Sequence, residues 1–445
     1  MNTTKSALIA FVILGVNLPA GAADLVETYR AAQGQDSVFA AARSTQRAGQ
    51  EKLTQGRATL LPSVNLTANS TYNDNINNIP SPVPAFNLGR QRFNSSGYGV
   101  RLVQPLFRQE NWQLYTAAEL QVAQSEARYK SAEQDLILRV AQAYFDVLSA
   151  QDGVDLTSAQ KTAIAEQLAQ AKRNFEVGSA TITDTLEAQA RYDLVNAQTI
   201  AAQSNLEIKE RGLQQLTNAM PKNLQAIGPA FKLETPQPAD AEKWVEQAQQ
   251  GNLQLAVAQA GAELADKEVV RNRGGHYPTV DLVATYNQNN AGVNGGSFGT
   301  GLDTTAATVG VQLNMPLFQG GATQSKWREA EANRDRANAE LESARRNVDL
   351  QTRQAYTGVL NGMSQIMALE QALKSSEKLL EASKLGQEVG VRTNLDVLNA
   401  QQQLFSTRRD LSQAKYNYLI SRLKLRAATG SLAEDELALV NQSLH

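Results

Sequence analysis

The stretch FEVGSATITDTLEAQARYDLVNAQ (175–198) returns as QEVGVRTNLDVLNAQQQLFSTRRD (387–410), and that recurrence decides the fold. Val177-Gly178 pairs with Val389-Gly390, an offset of 212 residues, and the two copies run on to Asn218 and Gly430. Upstream, Ala143-Tyr144 pairs with Ala355-Tyr356 at the same 212. Pro105-Leu106-Phe107 pairs with Pro316-Leu317-Phe318 at 211, and Leu61-Pro62-Ser63-Val64 with Tyr277-Pro278-Thr279-Val280 at 216. A repeat this long in nearly constant register is a duplicated supersecondary unit, not a short-period solenoid.

Each copy opens with a helical segment, ending near Ala58 in the first and near Arg273 in the second, before a proline changes the period. Past Pro62, Val64, Leu66, Ala68 and Tyr72 alternate with Asn65, Thr67, Asn69 and Thr71; past Pro278, Val280, Leu282, Ala284 and Tyr286 repeat the pattern. Period two with one apolar face predicts half-buried strands. Their partners are 97–104, with Tyr98, Val100 and Leu102 on one face, and 308–315, with Val309, Val311, Leu313 and Met315. The stretches 73–96 and 287–307 are rich in Asn, Gly and Ser and read as long polar loops closing two hairpins. Glycines within 292–301 are not followed by the Lys-Ser/Thr of a phosphate-binding loop, so they read as solvated loop.

Beyond Phe107 and Phe318 no proline interrupts the chain up to Gly178 and Gly390. Apolar residues recur at helical steps, Leu136, Val140, Ala143 and Val147 in one copy, Val348, Ala355 and Val359 in the other, with Gln351 intruding. About 70 residues at ~1.5 Å rise predict a rod of roughly 100 Å. Gly178 and Gly390 then sit where a helix C-terminus needs a left-handed residue, and an antiparallel helix returns. Ala188, Ala190, Ala197, Ala201 and Ala202 let neighbouring helices approach closely.

Lys5, the apolar run 7–16, Pro19 and Ala20-Gly21-Ala22 read as an export signal over 1–22, removed to leave Ala23 or Asp24 first. The organisation expected is then a first repeat over 23–218, a connecting segment over 219–240, a second repeat over 241–430 and a helical tail over 431–445. No later run of 18 apolar residues follows, so any membrane span must be built from strands. The chain has 0 Cys, which excludes disulfides and thiolate metal sites. Lys+Arg 42 against Asp+Glu 44, with no basic block, gives nucleic acid no footprint. His276 and His445 are the only histidines, and no nucleophile elbow or metal-spaced cluster occurs, so neither an enzyme nor a cofactor is expected. His276, at a helix-to-strand junction, reads as structural.

Four strands of about 10 residues can cross an outer membrane but cannot close a barrel, since known barrels start near 8 strands. The chain must oligomerise: two copies would give eight strands and a lumen filled by side chains, three would give twelve strands and room for a passage, and transport selects three. A periplasmic coiled-coil adaptor or scaffold is the rival reading, opposed by the paired membrane-length strands.

Taken together, the Leu61-Pro62 strand entry, Pro316-Leu317-Phe318-Gln319-Gly320-Gly321, the Val-Gly tips, Asp396-Val397-Leu398-Asn399-Ala400 and Ala414-Lys415-Tyr416-Asn417-Tyr418-Leu419-Ile420 resemble the TolC family of outer-membrane channels. The resemblance implies a mixed α/β membrane protein of a Gram-negative bacterium. Long antiparallel coiled-coil helical hairpins would form a periplasmic tunnel, and four strands per chain would contribute to a trimeric, twelve-stranded outer-membrane β-barrel. It implies an exit duct for type I protein secretion or multidrug efflux, with a periplasmic adaptor (membrane fusion protein) and an inner-membrane ABC or proton-driven transporter as partners. Carried onto this chain, it makes Thr183, Asp184 and Arg392 links that hold the periplasmic entrance closed, and Gln387 a departure from an aromatic that adds a further link. Asp396 would form a constriction ring, with Asn399 replacing a second acid found in some relatives. Val177, Gly178, Val389 and Gly390 would be the tips that meet the adaptor. Thr183 and Asp184 also read as caps of the returning helix, and one residue can do both.

Overall fold

A computed structural model describes residues 24–77, 89–221, 223–228, 231–296 and 300–444. The expected export segment, residues 78–88 of the first interstrand loop and residues 297–299 of the second lie outside the described residues.

The first repeat contains α1 (Leu25–Gln35), α2 (Ser37–Ala58), β1 (Ser63–Asn77), β2 (Gly89–Phe107), α3 (Gln109–Glu176) and α4 (Ile182–Thr217). The second contains α5 (Ala241–Gly251), α6 (Leu253–Arg273), β3 (Thr279–Ala291), β4 (Leu302–Asn314), α7 (Ala322–Glu388) and α8 (Asn394–Ala428), and α9 (Glu434–Asn441) follows. At 68 and 67 residues, α3 and α7 are the rods that the uninterrupted sequence predicts. Each rod is sheathed by two shorter helices placed end to end, α2 and α4 along α3, α6 and α8 along α7.

Two sequence expectations need correction. The opening segment of each repeat is two helices, not one. Asp36 closes α1 through its backbone N–H to Ala32 O (2.7 Å) and starts α2 by accepting from Phe39 N (2.6 Å). Asn252 does the same between Ala248 O (2.9 Å) and Leu255 N (3.0 Å). A side chain that can cap a helix start redirects the backbone there, with no proline needed.

The polar loops are also shorter than expected, because β1 continues to Asn77 and β2 begins at Gly89, while β3 continues to Ala291 and β4 begins at Leu302. Polar side chains hold these extensions together across the ladder. Arg90 donates to Asp74 through Nε (2.7 Å), Arg92 joins it (3.2 Å), and Asn290 bonds Asp303. Turn-type composition misleads where both faces of a hairpin meet water.

The four strands form one antiparallel sheet in the order β1-β2-β3-β4. Its register aligns Leu66 with Val100, Val100 with Tyr286, and Tyr286 with Ala307. Opposed residues share a face, so the exposed Val64, Leu66, Tyr98, Val100, Tyr286, Val309, Val311 and Leu313 line one side of the sheet, with the half-buried Leu102, Leu282 and Ala284 between them. The opposite face carries Asn65, Thr67, Asn69, Arg101, Thr285, Thr308 and Gln312. Among the described residues, no helix is long and apolar enough to cross a membrane.

The main core lies midway along the rods. There Leu25, Tyr29, Phe39, Leu136, Tyr144, Phe145, Trp244, Tyr418 and Leu437 are buried together. The chain end is tied in as well, with Leu444 fully buried and bridged to Ile227.

Candidate functional site

The far ends of the rods are two turns built alike. After α3, Gly178 has φ +76°, and Ser179 N and Ala180 N both donate to Asn174 O (2.8 and 3.2 Å). After α7, Gly390 has φ +79°, and Val391 N and Arg392 N both donate to Gly386 O (2.9 and 3.0 Å). Glycine accepts this left-handed backbone without the Cβ penalty, and the backward hydrogen bonds satisfy carbonyls at the helix end. Val177 and Val389, the residues before the glycines, are 78% and 65% exposed, so each tip presents an apolar side chain to its surroundings.

Both returning helices start with a capping box. Thr181 accepts from Asp184 N (3.3 Å) while Asp184 Oδ2 accepts from Thr181 N (2.9 Å). Thr393 and Asp396 repeat this at 3.2 and 2.9 Å. The cap is therefore Thr181 rather than Thr183, with Asp184 as its reciprocal partner. Thr183 is exposed one residue inside α4. The T-x-x-D spacing was present in the sequence and identifies the cap by itself.

Arg392 lies on its own tip. A Cβ built on Gly386 would stand 2.6 Å from Arg392 Cγ, so the absence of a side chain at 386 makes the bed for the arginine stem. The first repeat reverses the sizes, with Asn174 in the place of Gly386 and Ala180 in the place of Arg392. From that bed the Arg392 guanidinium reaches Asp396 of the same helix start at 3.8 Å. Among the described residues, Arg392 makes no ion pair with Asp184 within one chain. Gln387, next to the bed, donates to Asn394 Oδ1 (3.3 Å).

Asp396 carries a charge by construction. The Thr393 backbone N–H and hydroxyl, and then Arg392, hold its carboxyl below the usual range. Hydrogen bonds and a cation that favour the ionised form act in the same direction.

Asn399 has a partner that sequence reasoning missed. Arg191 of α4 donates to Asn399 Oδ1 (3.0 Å) and to Gln402 Oε1 (2.7 Å), both on α8. Beneath this bridge Ile164, Val195 and Leu398 form a small apolar cluster joining the hairpins. Next to it lies a cleft of about 440 Å³ lined in part by Arg191, Gln402, Phe405 and Arg409. The only signal in the sequence was position: Arg191 lies seven residues, or two helical turns, past Asp184 on the same face.

His276 sits exposed in the short helical turn Gly274–His276 before β3. At the same level, Arg108 forms a two-pronged ion pair with Asp281 on β3 (2.8 and 2.5 Å).

A repeated hairpin-and-rod chain whose open sheet bears one exposed apolar face has the build of a membrane-anchored helical duct. The chain belongs to the outer membrane efflux protein family, whose model matches residues 28–219 and 244–431. It is 32% identical over 448 residues to outer membrane protein TolC of Escherichia coli (strain K12), covering 98% of this chain and 88% of that protein. It is 33% identical over 436 residues to alkaline protease secretion protein AprF of Pseudomonas aeruginosa, covering 97% and 89%. The Campylobacter jejuni CmeC outer membrane channel superposes with TM-score 0.79 at 17% identity, over 94% of this chain and 89% of that one. The outer membrane protein VceC of Vibrio cholerae superposes with TM-score 0.78 at 20% identity, over 91% and 96%. This chain is an outer-membrane protein.

Proposed function

We propose that three copies of this chain close their sheets into one twelve-stranded barrel and bundle their rods into a periplasmic tunnel, forming a non-catalytic exit duct. The observation that carries this is the sheet itself. One face is largely apolar and, on its outer strands, exposed, the other is mainly polar, and the two outer strands end in open edges. Lipid on one side, water on the other and strands from neighbouring copies at the edges satisfy all three.

The names of the TolC and AprF relatives support cargo that includes secreted protein. The duct works with a periplasmic adaptor and an inner-membrane ABC or proton-driven transporter, since the sequence carries no phosphate-binding motif of its own. The adaptor meets the tips at Val177, Gly178, Val389 and Gly390, where exposed valine gives it apolar area.

Thr183, Asp184 and Arg392 latch the entrance when neighbouring hairpins come together, with Arg392 shared between its own Asp396 and the next hairpin. Asp396 forms the charged constriction ring. Asn399 sits on the same helix face one turn further on and adds no negative charge, so a blocking cation binds this ring less tightly than a doubly acidic one. By residue number, 23–218 and 241–430 are the two arms, 219–240 the link between them and 431–445 the tail that anchors at mid-rod.

The test is conductance in planar bilayers, comparing wild type with Arg392→Ala. A small conductance that rises in the variant is expected. An unchanged conductance would remove the latch and keep the duct, while no conductance from a folded oligomer would overturn the duct.

A further inference from the structure

The charges on the four strands are few, and all but one are matched. The strands hold three carboxylates, Asp74, Asp281 and Asp303, and three arginines, Arg90, Arg92 and Arg101. The two-residue period sorts them by face. Asp74 lies on the apolar side of the sheet, where it pairs with Arg90 (2.5 Å) and Arg92 (3.2 Å). Asp303 is on that side too, bonded by Asn290 opposite it.

The polar side keeps Asp281 and Arg101. Both oxygens of Asp281 are taken by Arg108, just past the end of β2. Arg101 is exposed, and the residues opposite it are Asn65 on β1 and Thr285 on β3. Thr285 is in turn hydrogen bonded to Thr308 on β4 (2.6 Å). Among the described residues Arg101 therefore meets no carboxylate, and residues 78–88 and 297–299 contain no charged side chain.

We infer that Arg101 makes the barrel section of the duct prefer anionic permeants, by setting an unmatched ring of positive charge on its inner wall. This rests on the trimeric duct reading above. Each chain brings Arg101 and Arg108 against Asp281 to a wall that is otherwise uncharged, a balance of +1 per chain and +3 for three copies. An aqueous lumen bounded by low-dielectric walls focuses such a field and concentrates counter-ions within it. Rings of arginine or lysine suit pores to anions, and rings of carboxylate suit them to cations. The Asp396 ring proposed at the far ends of the rods has the opposite sign, so the duct draws cations at its entrance and anions at its exit.

The internal repeat separates this charge from the build of the strand. YGVRLVQPLFR (98–108) recurs as VGVQLNMPLFQ (309–319), with Gln312 in the place of Arg101. One strand pattern is thus built twice, once with a guanidinium and once with an amide. Arg101→Gln therefore changes the charge of the wall and leaves its packing alone.

The chain's 0 Cys allow a single introduced thiol to read the local potential. Thr67 is exposed on the polar side opposite Gly99, two residues along β2 from Arg101. Such diagonal neighbours are about 7–8 Å apart. Thr67→Cys is prepared in lipid nanodiscs, and its rates of modification by an anionic and a cationic methanethiosulfonate are compared. The comparison is made with Arg101 intact, as Arg101→Gln and as Arg101→Glu. Reagents reach the barrel from its outer mouth, so the reading does not depend on whether the periplasmic entrance is open.

At about 10 mM ionic strength, where the Debye length is ~30 Å, the ratio of anionic to cationic rate is expected to fall roughly fourfold in Arg101→Gln. It should fall further in Arg101→Glu. At about 1 M, where the Debye length is ~3 Å, the three proteins should converge. A ratio unchanged by Arg101→Gln at low salt would overturn the inference, and so would a change that persists at high salt, which would be steric. If Thr67→Cys resists both reagents in the nanodisc and reacts once denatured, the polar side does not line a water-filled lumen. The duct reading would then fall, rather than the charge assigned to its wall.

Discussion

Arg191 and Asn399 lie 208 residues apart in sequence and 3.0 Å apart in space, joining the returning helix of the first repeat to that of the second. Arg191 reaches Gln402 through its other terminal nitrogen (2.7 Å), so one guanidinium clamps successive turns of α8. The planar fork of arginine suits such a grip, which lysine could not reproduce. The clamp sits over the Ile164, Val195 and Leu398 cluster and beside an open cleft, where the two hairpins are otherwise loosely joined.

Arg191→Ala should therefore loosen the hairpins near the entrance and raise single-channel conductance above wild type. Its effect should be non-additive with that of Gln402→Ala, because both changes break the same contact. Additive effects in the double variant would show that the bridge contributes nothing to closure.

Gly386→Ala tests the bed beneath Arg392. A methyl group at 386 meets the arginine stem at 2.6 Å and forces it away from Asp396. Conductance should rise as it does for Arg392→Ala, and the two changes together should do no more than either alone. Asn174→Ala, at the matching place in the first repeat, should leave conductance as it is.

Asp36 gives the fold an acid-sensitive hinge. The Arg139 guanidinium, hydrogen bonded to it at 2.9 Å, is the main influence holding its carboxyl below the usual range. A carboxyl lowered in the folded state adds stability above its unfolded pKa of about 4, and that contribution is lost as pH falls through the folded value. The melting temperature of the helical circular dichroism signal should thus drop below about pH 4. Asp36→Asn keeps the cap, as Asn252 does naturally in the second repeat, and should flatten that part of the pH profile. Asp36→Ala loses the cap as well and should cost about 1–2 kcal/mol even at pH 7.

Tyr416→Phe addresses the mid-rod lock between α3 and α8. The buried Tyr416 hydroxyl donates to Asp152 Oδ2 (2.9 Å), which Ser412 also reaches (2.6 Å), and its ring stacks on Phe145 at 5.7 Å. Removing the hydroxyl keeps the stacking and takes one donor from the carboxylate, so a loss of about 1–3 kcal/mol is expected. Chemical denaturation followed by helical signal would read it, and a change below a few tenths of a kcal/mol would show Ser412 and water to suffice.

The repeat, the long rods, the glycine tips and the apolar face of each strand were legible in the residues because each has a local period or a local backbone demand. Val64, Leu66 and Ala68 announce a strand face by alternation, and Gly178 and Gly390 announce turns by the conformation that only glycine takes cheaply. The hinges at Asp36 and Asn252 are equally local but do not stand out, since capping residues inside a helical run look like ordinary polar positions. The strand extensions beyond Tyr72 and Tyr286 are hidden in the sequence because Asn, Asp and Ser mark turns only when no partner strand lies opposite.

The architecture is written locally in the residues: two copies of one unit, each with a strand hairpin and a helical hairpin of fixed length. Local periodicity and the offset between copies encode these directly. Tertiary structure alone decided which side chains meet. The bridges from Arg191 to Asn399, Arg108 to Asp281 and Tyr416 to Asp152 join residues 208, 173 and 264 positions apart. No period links such positions, because their proximity depends on how two rods of roughly 100 Å lie against each other and on which turn of one faces which turn of the next.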